Sequence, residues 1–76
     1  MQTDSSFAQL TPREREIALL ITDGLKNTVI ARRLGLAPGT VNTYVQQIKG
    51  RLQLSRRSEI APWVAAHRRP NTPEDR

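Results

Sequence analysis

The chain is 76 residues long, with a formal net charge of +5, no cysteine and a single histidine, His67. That is room for one small domain, and it excludes disulfides, a thiolate metal site and a zinc site built from histidine alone, so no metal or other cofactor is expected. No apolar run reaches the roughly 18 residues that span a bilayer, and "MQTDSSFAQL" has no basic start followed by an apolar block, so a soluble cytoplasmic protein without membrane contact is expected.

Residues 1–9 are polar apart from Phe7 and read as a flexible lead. The first helix is predicted from "LTPREREIALLITDG". Thr11 is placed to cap it, Pro12 suits the first helical position, and Glu14, three residues after the cap, completes a capping box. Ile17, Leu20 and Ile21 form its buried stripe and Gly24 its stop. A second helix of about two turns follows in "NTVIARRLG", with Asn27 as cap, Ile30, Ala31 and Leu34 inward, and Gly35 as stop. The turn Gly35-Leu36-Ala37 then leads to Pro38 at the first position of a third helix. Short helix, glycine turn, longer helix is the helix-turn-helix layout.

A fourth helix is expected within Ser55 to His67, carrying Ile60, Trp63, Val64 and His67 on one stripe. Pro62 constrains its start. Beyond the first turn a proline removes an internal hydrogen bond at a cost of about 3 kcal/mol, so the helix is predicted to begin at Ser58 or Glu59, or to kink. The tail "RRPNTPEDR", residues 68–76, has two prolines and no apolar residue and is expected to be disordered. Nothing alternates with period two for long enough to read as a sheet. The fold class is therefore all-α, four helices containing a helix-turn-helix, with the ordered domain at residues 10–67.

The third helix, "PGTVNTYVQQIKGRL", carries the functional signal. At about 3.6 residues per turn, Val41, Val45, Ile48 and Leu52 fall on one stripe, Gly39, Thr43, Gln46 and Gly50 point the opposite way, and Asn42 and Gln47 lie on the flanks. Solvated helix faces usually carry Glu and Lys, yet this outer face has no charge. Between Asp23 and Glu59 there is no acid, while Lys26, Arg32, Arg33, Lys49, Arg51, Arg56 and Arg57 supply seven positive charges. Such a patch fits a polyanion. In a DNA groove acids would be repelled, whereas Asn and Gln pair with adenine N6 and N7 and Thr contacts a thymine methyl. Double-stranded DNA is the expected partner, with Lys49 and Arg51 on the helix, and Lys26 and Arg57 outside it, gripping the backbone.

Catalysis finds little support. Glu14 and Glu16 are two residues apart and point to different sides of a helix. His67 stands near the end of the last helix, followed by arginines, and reads as stacked or solvent-facing. Gly24, Gly35 and Gly39 are spaced as helix stops and a turn, and do not make a phosphate-cradling loop. The chain is not expected to be an enzyme.

The segments "LTPRE", "GL.N..IA..LG", "TV..Y" and "RL", followed by "SRRSEIA", closely resemble the LuxR-type, or GerE-like, helix-turn-helix domain of bacterial transcription regulators, in a match that covers Leu10 to about Ala66. The resemblance implies a four-helix domain whose third helix enters the major groove and whose fourth mediates dimerisation on DNA. By position it implies that Asn42, Thr43 and Gln46 face bases. Tyr44, where the family usually has histidine, would lie close to phosphate, and Thr40 and Arg51 occupy positions typical of backbone contacts. This chain has Asn42 and Thr28 where the family often has a basic residue, Ala37 in place of a frequent serine cap, and Val29 and Leu19 where polar residues are common. With Ile60, Trp63 and Val64 turned to the first helix, Ala61, Pro62 and Ala65 are left as a small-residue face for a mate. So small an area fits a free monomer that pairs as a homodimer on DNA.

Two alternatives compete with a sequence-specific regulator or its isolated effector domain. One is a sigma-factor-like promoter-recognition region, which would bind RNA polymerase as well as DNA. The other is a helical protein-interaction module that turns the basic face to an acidic partner.

Overall fold

A computed structural model describes residues 9–67. The flexible lead expected over 1–9, apart from Gln9, and the disordered tail expected over 68–76 lie outside the described residues. Within them the chain forms α1 (Pro12–Thr22), α2 (Asn27–Leu34), α3 (Pro38–Leu52), a 3-10 turn (Arg57–Glu59) and α4 (Ile60–His67). No strand occurs among the described residues. No described helix is long and apolar enough to cross a membrane.

Helix α1 starts as its sequence dictates. The Thr11 hydroxyl accepts from the Glu14 amide at 3.1 Å, and the Glu14 carboxylate accepts from the Thr11 amide at 2.9 Å, a reciprocal capping box behind Pro12. The helix closes at Asp23, and Gly24 follows at φ +88°, a conformation without penalty only for glycine. Its buried arc is Glu14, Ile17, Ala18 and Ile21. Leu20, expected on that stripe, is only half-buried. At about 100° per residue it falls on the edge of the arc set by Glu14, Ile17, Ala18 and Ile21.

Helix α2 begins at Asn27, with Lys26 in the cap position and no side-chain cap. The expectation of Asn27 as cap is thereby corrected. Its side-chain oxygen accepts instead from Arg57 Nη1, a tertiary bond that takes the group away from the local amides. The Lys26 carbonyl starts the ladder, accepting from Val29 and Ile30. Gly35 ends α2 in the left-handed region at φ 70°, and Ala37, extended and without a side-chain acceptor, precedes α3.

Helix α3 buries Val41, Val45, Ile48 and Leu52, the stripe read from spacing. It ends at Gln53, the one non-glycine residue with positive φ among those described (60°). The stripe meets Ile17, Ile21 and Leu10 from α1 and its approach, Ile30 from α2, and Ile60 and Val64 from α4 in a single core. Helix α1 packs on both α3 and α4, while α2 packs chiefly on α3. The helix-turn-helix is thus supported from behind by α1.

The start of α4 differs from expectation. The backbone first makes a 3-10 turn over Arg57–Glu59, and the α-helix proper begins at Ile60, after both predicted starts, Ser58 and Glu59. Pro62 is then its third residue, inside the first turn, where an amide has no partner within the helix. The Glu59 carboxylate secures the approach, accepting from the Ser55 amide at 2.8 Å and the Arg56 amide at 3.1 Å. Ile60 and Val64 are fully buried, and Trp63 is half-buried against the core. His67 is exposed: its ring stacks on Trp63 with centroids 4.0 Å apart, and Nδ1 lies 2.9 Å from the Trp63 carbonyl.

Candidate nucleic-acid interface

The outer surface of α3 is set by the burial of its inner stripe. With Val41, Val45, Ile48 and Leu52 locked in the core, Gly39, Thr43, Gln46 and Gly50 are exposed on the opposite side, and Asn42 and Gln47 are exposed beside them. The face is uncharged over the whole length of the helix. The Thr43 hydroxyl donates to the Gly39 carbonyl at 3.1 Å, which commits its proton and leaves its oxygen and methyl for outside contacts.

The flanks differ from each other. Thr40, Tyr44, Gln47 and Arg51 follow at steps of four and three residues and share one side; Thr40, Gln47 and Arg51 are exposed and Tyr44 is half-buried. Asn42 and the half-buried Lys49 occupy the other side. Of the residues predicted to meet the DNA backbone, α3 therefore carries Thr40, Tyr44 and Arg51 along one edge and Lys49 along the opposite one.

Lys26 and Arg57, which lie outside α3, come together. Both line an open hollow between the α1–α2 loop and the 3-10 turn, with Asn27 and Ser58 beside them and Ile21, Leu25 and Ala61 beneath. Lys26 is exposed. Arg57 is committed within the chain, donating to the Asn27 side chain and to the Leu25 carbonyl at 2.9 Å, and burial lowers its pKa from the ordinary arginine value.

Arg51 also has an internal partner. Its Nε lies 3.0 and 3.2 Å from the two carboxylate oxygens of Glu14, whose side chain is almost completely buried in α1. This link was not read from the sequence, because the residues are 37 positions apart. A signal existed: Glu14 shares the 3.6-residue arc of Ile17 and Ile21, and a carboxylate buried there requires a cation. The exposed Arg32, Arg33 and Arg56 complete the basic surface. No group of three His, Cys, Asp or Glu residues that could hold a metal ion occurs among the described residues.

On α4, Pro62 and Ala65 are exposed and Ala61 is half-buried at the rim of the hollow; Ala66 extends this small-residue side. The Trp63–His67 stack lies on the other side of the helix.

A helix-turn-helix held on a third helix, with an acid-free outer face flanked by cations, defines a DNA-binding domain of transcription regulators. The comparison with known proteins is specific about which kind. Residues 8–64 match the profile of the bacterial regulatory proteins, luxR family, and the chain belongs to that family. It is 44% identical over 66 residues to the nitrate/nitrite response regulator protein NarL of Escherichia coli (strain K12), a match that covers 87% of this chain and 31% of NarL. To the response regulator UvrY of the same strain it is 36% identical over 66 residues, covering 87% of this chain and 30% of UvrY. The chain thus spans less than a third of the length of either relative.

Proposed function

We propose that this domain recognises a particular double-stranded DNA sequence, with α3 in the major groove, and through it regulates transcription in the cytoplasm. Asn42, Thr43 and Gln46 contact base edges, while Lys26, Thr40, Tyr44, Lys49 and Arg51 contact the phosphate backbone. Arg57, counted with these from sequence, acts chiefly as an internal clamp, its donors being engaged by Asn27 and Leu25. No catalytic step is assigned. The observation that carries this reading is the exposed, uncharged face of Asn42, Thr43 and Gln46 inside a stretch of 35 residues, 24–58, that has no acid.

Two copies pair on DNA through Ala61, Pro62 and Ala65. The exposed part of this face is small beside the roughly 800 Å² per partner of a stable interface, so the free domain is monomeric. Sedimentation showing a tight dimer without DNA would contradict this. Family membership favours neither a sigma-like region engaging RNA polymerase nor a protein-interaction module.

Selection of bound sequences from a random duplex library tests the reading. One enriched sequence, bound with a log–log salt slope of about −4 to −6 per protomer, is the expected result. A pool retained without enrichment would leave only sequence-independent binding and contradict it.

A further inference from the structure

Glu14 is the one buried charged residue among those described, 1% exposed, and it serves two neighbours at once. Its carboxylate accepts from the Thr11 amide at the start of α1 and from Nε of Arg51 near the end of α3. Arg51 uses only the Nε edge of its guanidinium for this. Its side chain is 47% exposed, and neither terminal nitrogen has a partner among the described residues. The guanidinium is planar, with donors on two edges, so a carboxylate on one edge leaves the other to make two parallel hydrogen bonds to an anion. Arg51 stands at the end of the Thr40, Tyr44, Gln47, Arg51 edge, beside the base-facing surface.

We propose that Glu14 is a positioning residue for DNA binding: from within α1 it holds Arg51 by Nε and thereby presents the two terminal amino groups to a backbone phosphate at the edge of α3. This rests on the DNA-binding reading and deepens it. A free arginine loses its rotamer freedom when it meets phosphate; Arg51 has lost it already in the folded domain, and binding is stronger by that much. The buried carboxylate also ties the phosphate contact to α1, so the helix behind the helix-turn-helix takes part in the grip.

The proposal predicts a sign opposite to that of simple charge. Glu14→Gln keeps an oxygen for the Thr11 amide but adds one positive charge to the domain, which by itself strengthens attachment to a polyanion. If Glu14 positions Arg51, binding of random-sequence duplex DNA weakens instead, by about three- to tenfold, and the same substitution made in an Arg51→Ala background produces no weakening. Circular dichroism at the assay temperature verifies that each variant is folded. Tighter binding by Glu14→Gln, or an equal loss with and without Arg51, would overturn the proposal. An Arg51→Ala variant that binds as well as the parent would show that Arg51 meets no phosphate, and a parent that binds no duplex at all would remove the DNA-binding reading itself.

The unsubstituted domain supplies an independent check by nuclear magnetic resonance of arginine side chains. The Arg51 Nε proton should be protected from solvent exchange both free and with duplex present, while the terminal amino resonances shift and sharpen on addition of DNA. Loss of Nε protection in the complex would mean that Arg51 leaves Glu14 to bind, and would overturn the proposal.

Discussion

Arg57 reaches from the 3-10 turn across to Asn27, donating from Nη1 to its side-chain oxygen and from Nη2 to the Leu25 carbonyl. These bonds fasten the entry to α4 onto the loop between α1 and α2 and the first residue of α2. Charge-assisted bonds of this kind are worth about 1.5–3 kcal/mol where water is partly excluded. Arg57→Ala should therefore lower the unfolding free energy by about 1–2 kcal/mol, and Asn27→Ala by about 1 kcal/mol. Because both remove the same contact, the double variant should lose less than the sum, which urea unfolding of the three variants would measure.

The recognition helix begins without a side-chain acceptor. Ala37 occupies the cap position with extended backbone, φ −75° and ψ 148°, the conformation from which a serine hydroxyl reaches an amide of the first turn. Ala37→Ser should add about 0.5–2 kcal/mol to stability. A neutral or lower midpoint in urea would show that those amides are already satisfied.

At its other end α3 stops on Gln53 at φ 60°, where a side chain costs about 1–2 kcal/mol and glycine adopts the conformation freely. Glycine also makes the unfolded chain more flexible, which offsets part of the gain. Gln53→Gly should leave a net stabilisation of about 0.5–1 kcal/mol by thermal or urea unfolding. Destabilisation would mean that the Gln53 side chain makes a contact that outweighs its backbone strain.

The acid sensitivity of the α4 approach follows from Glu59. Hydrogen bonds from the Arg56 amide, and next from the Ser55 amide, hold its carboxyl below its ordinary value of 4.5, against an opposing effect of burial. A carboxyl whose pKa is depressed in the folded state contributes stability above its unfolded pKa and loses it as pH falls through the folded value. The 3-10 turn should therefore loosen as pH falls below the ordinary carboxyl value and through the lower folded-state one. The amide resonances of Ser55 and Arg56 should titrate together there, and Glu59→Gln should abolish that titration.

What was legible in the sequence was local. The Thr11–Glu14 box, the Gly35 stop and the Val41, Val45, Ile48, Leu52 stripe each depend on spacings of three or four residues, which the helix itself enforces. Exposure of Asn42, Thr43 and Gln46 follows from the same stripe by geometry. The links Asn27–Arg57 and Glu14–Arg51 join residues 30 and 37 positions apart, and no periodicity announces which partner a distant arginine finds. Asn27 departs from its local signal for that reason: asparagine before an apolar run is a good cap by propensity, but a tertiary bond to a cation takes its oxygen. The first turn of α4 escaped similarly, because Pro62 excludes an early α-helical start but leaves the choice between a later helix and an intervening 3-10 turn to the Glu59 hydrogen bonds.

The uncharged face of α3 is the centre of the functional reading, and Gln46 stands in the middle of it. If it reads a base, Gln46→Ala should cost about 1–3 kcal/mol on the preferred duplex and leave binding to scrambled duplex, with its salt slope, nearly unchanged. Gln46→Glu should lose more, since a carboxylate meets the negative potential of the groove and is satisfied there only by a cytosine amine. Competition binding of both variants with preferred and scrambled duplexes measures this directly. A preferred-to-scrambled ratio that falls for Gln46→Ala and falls further for Gln46→Glu is the predicted result; a ratio unchanged by either substitution would show that α3 is not the helix that reads DNA.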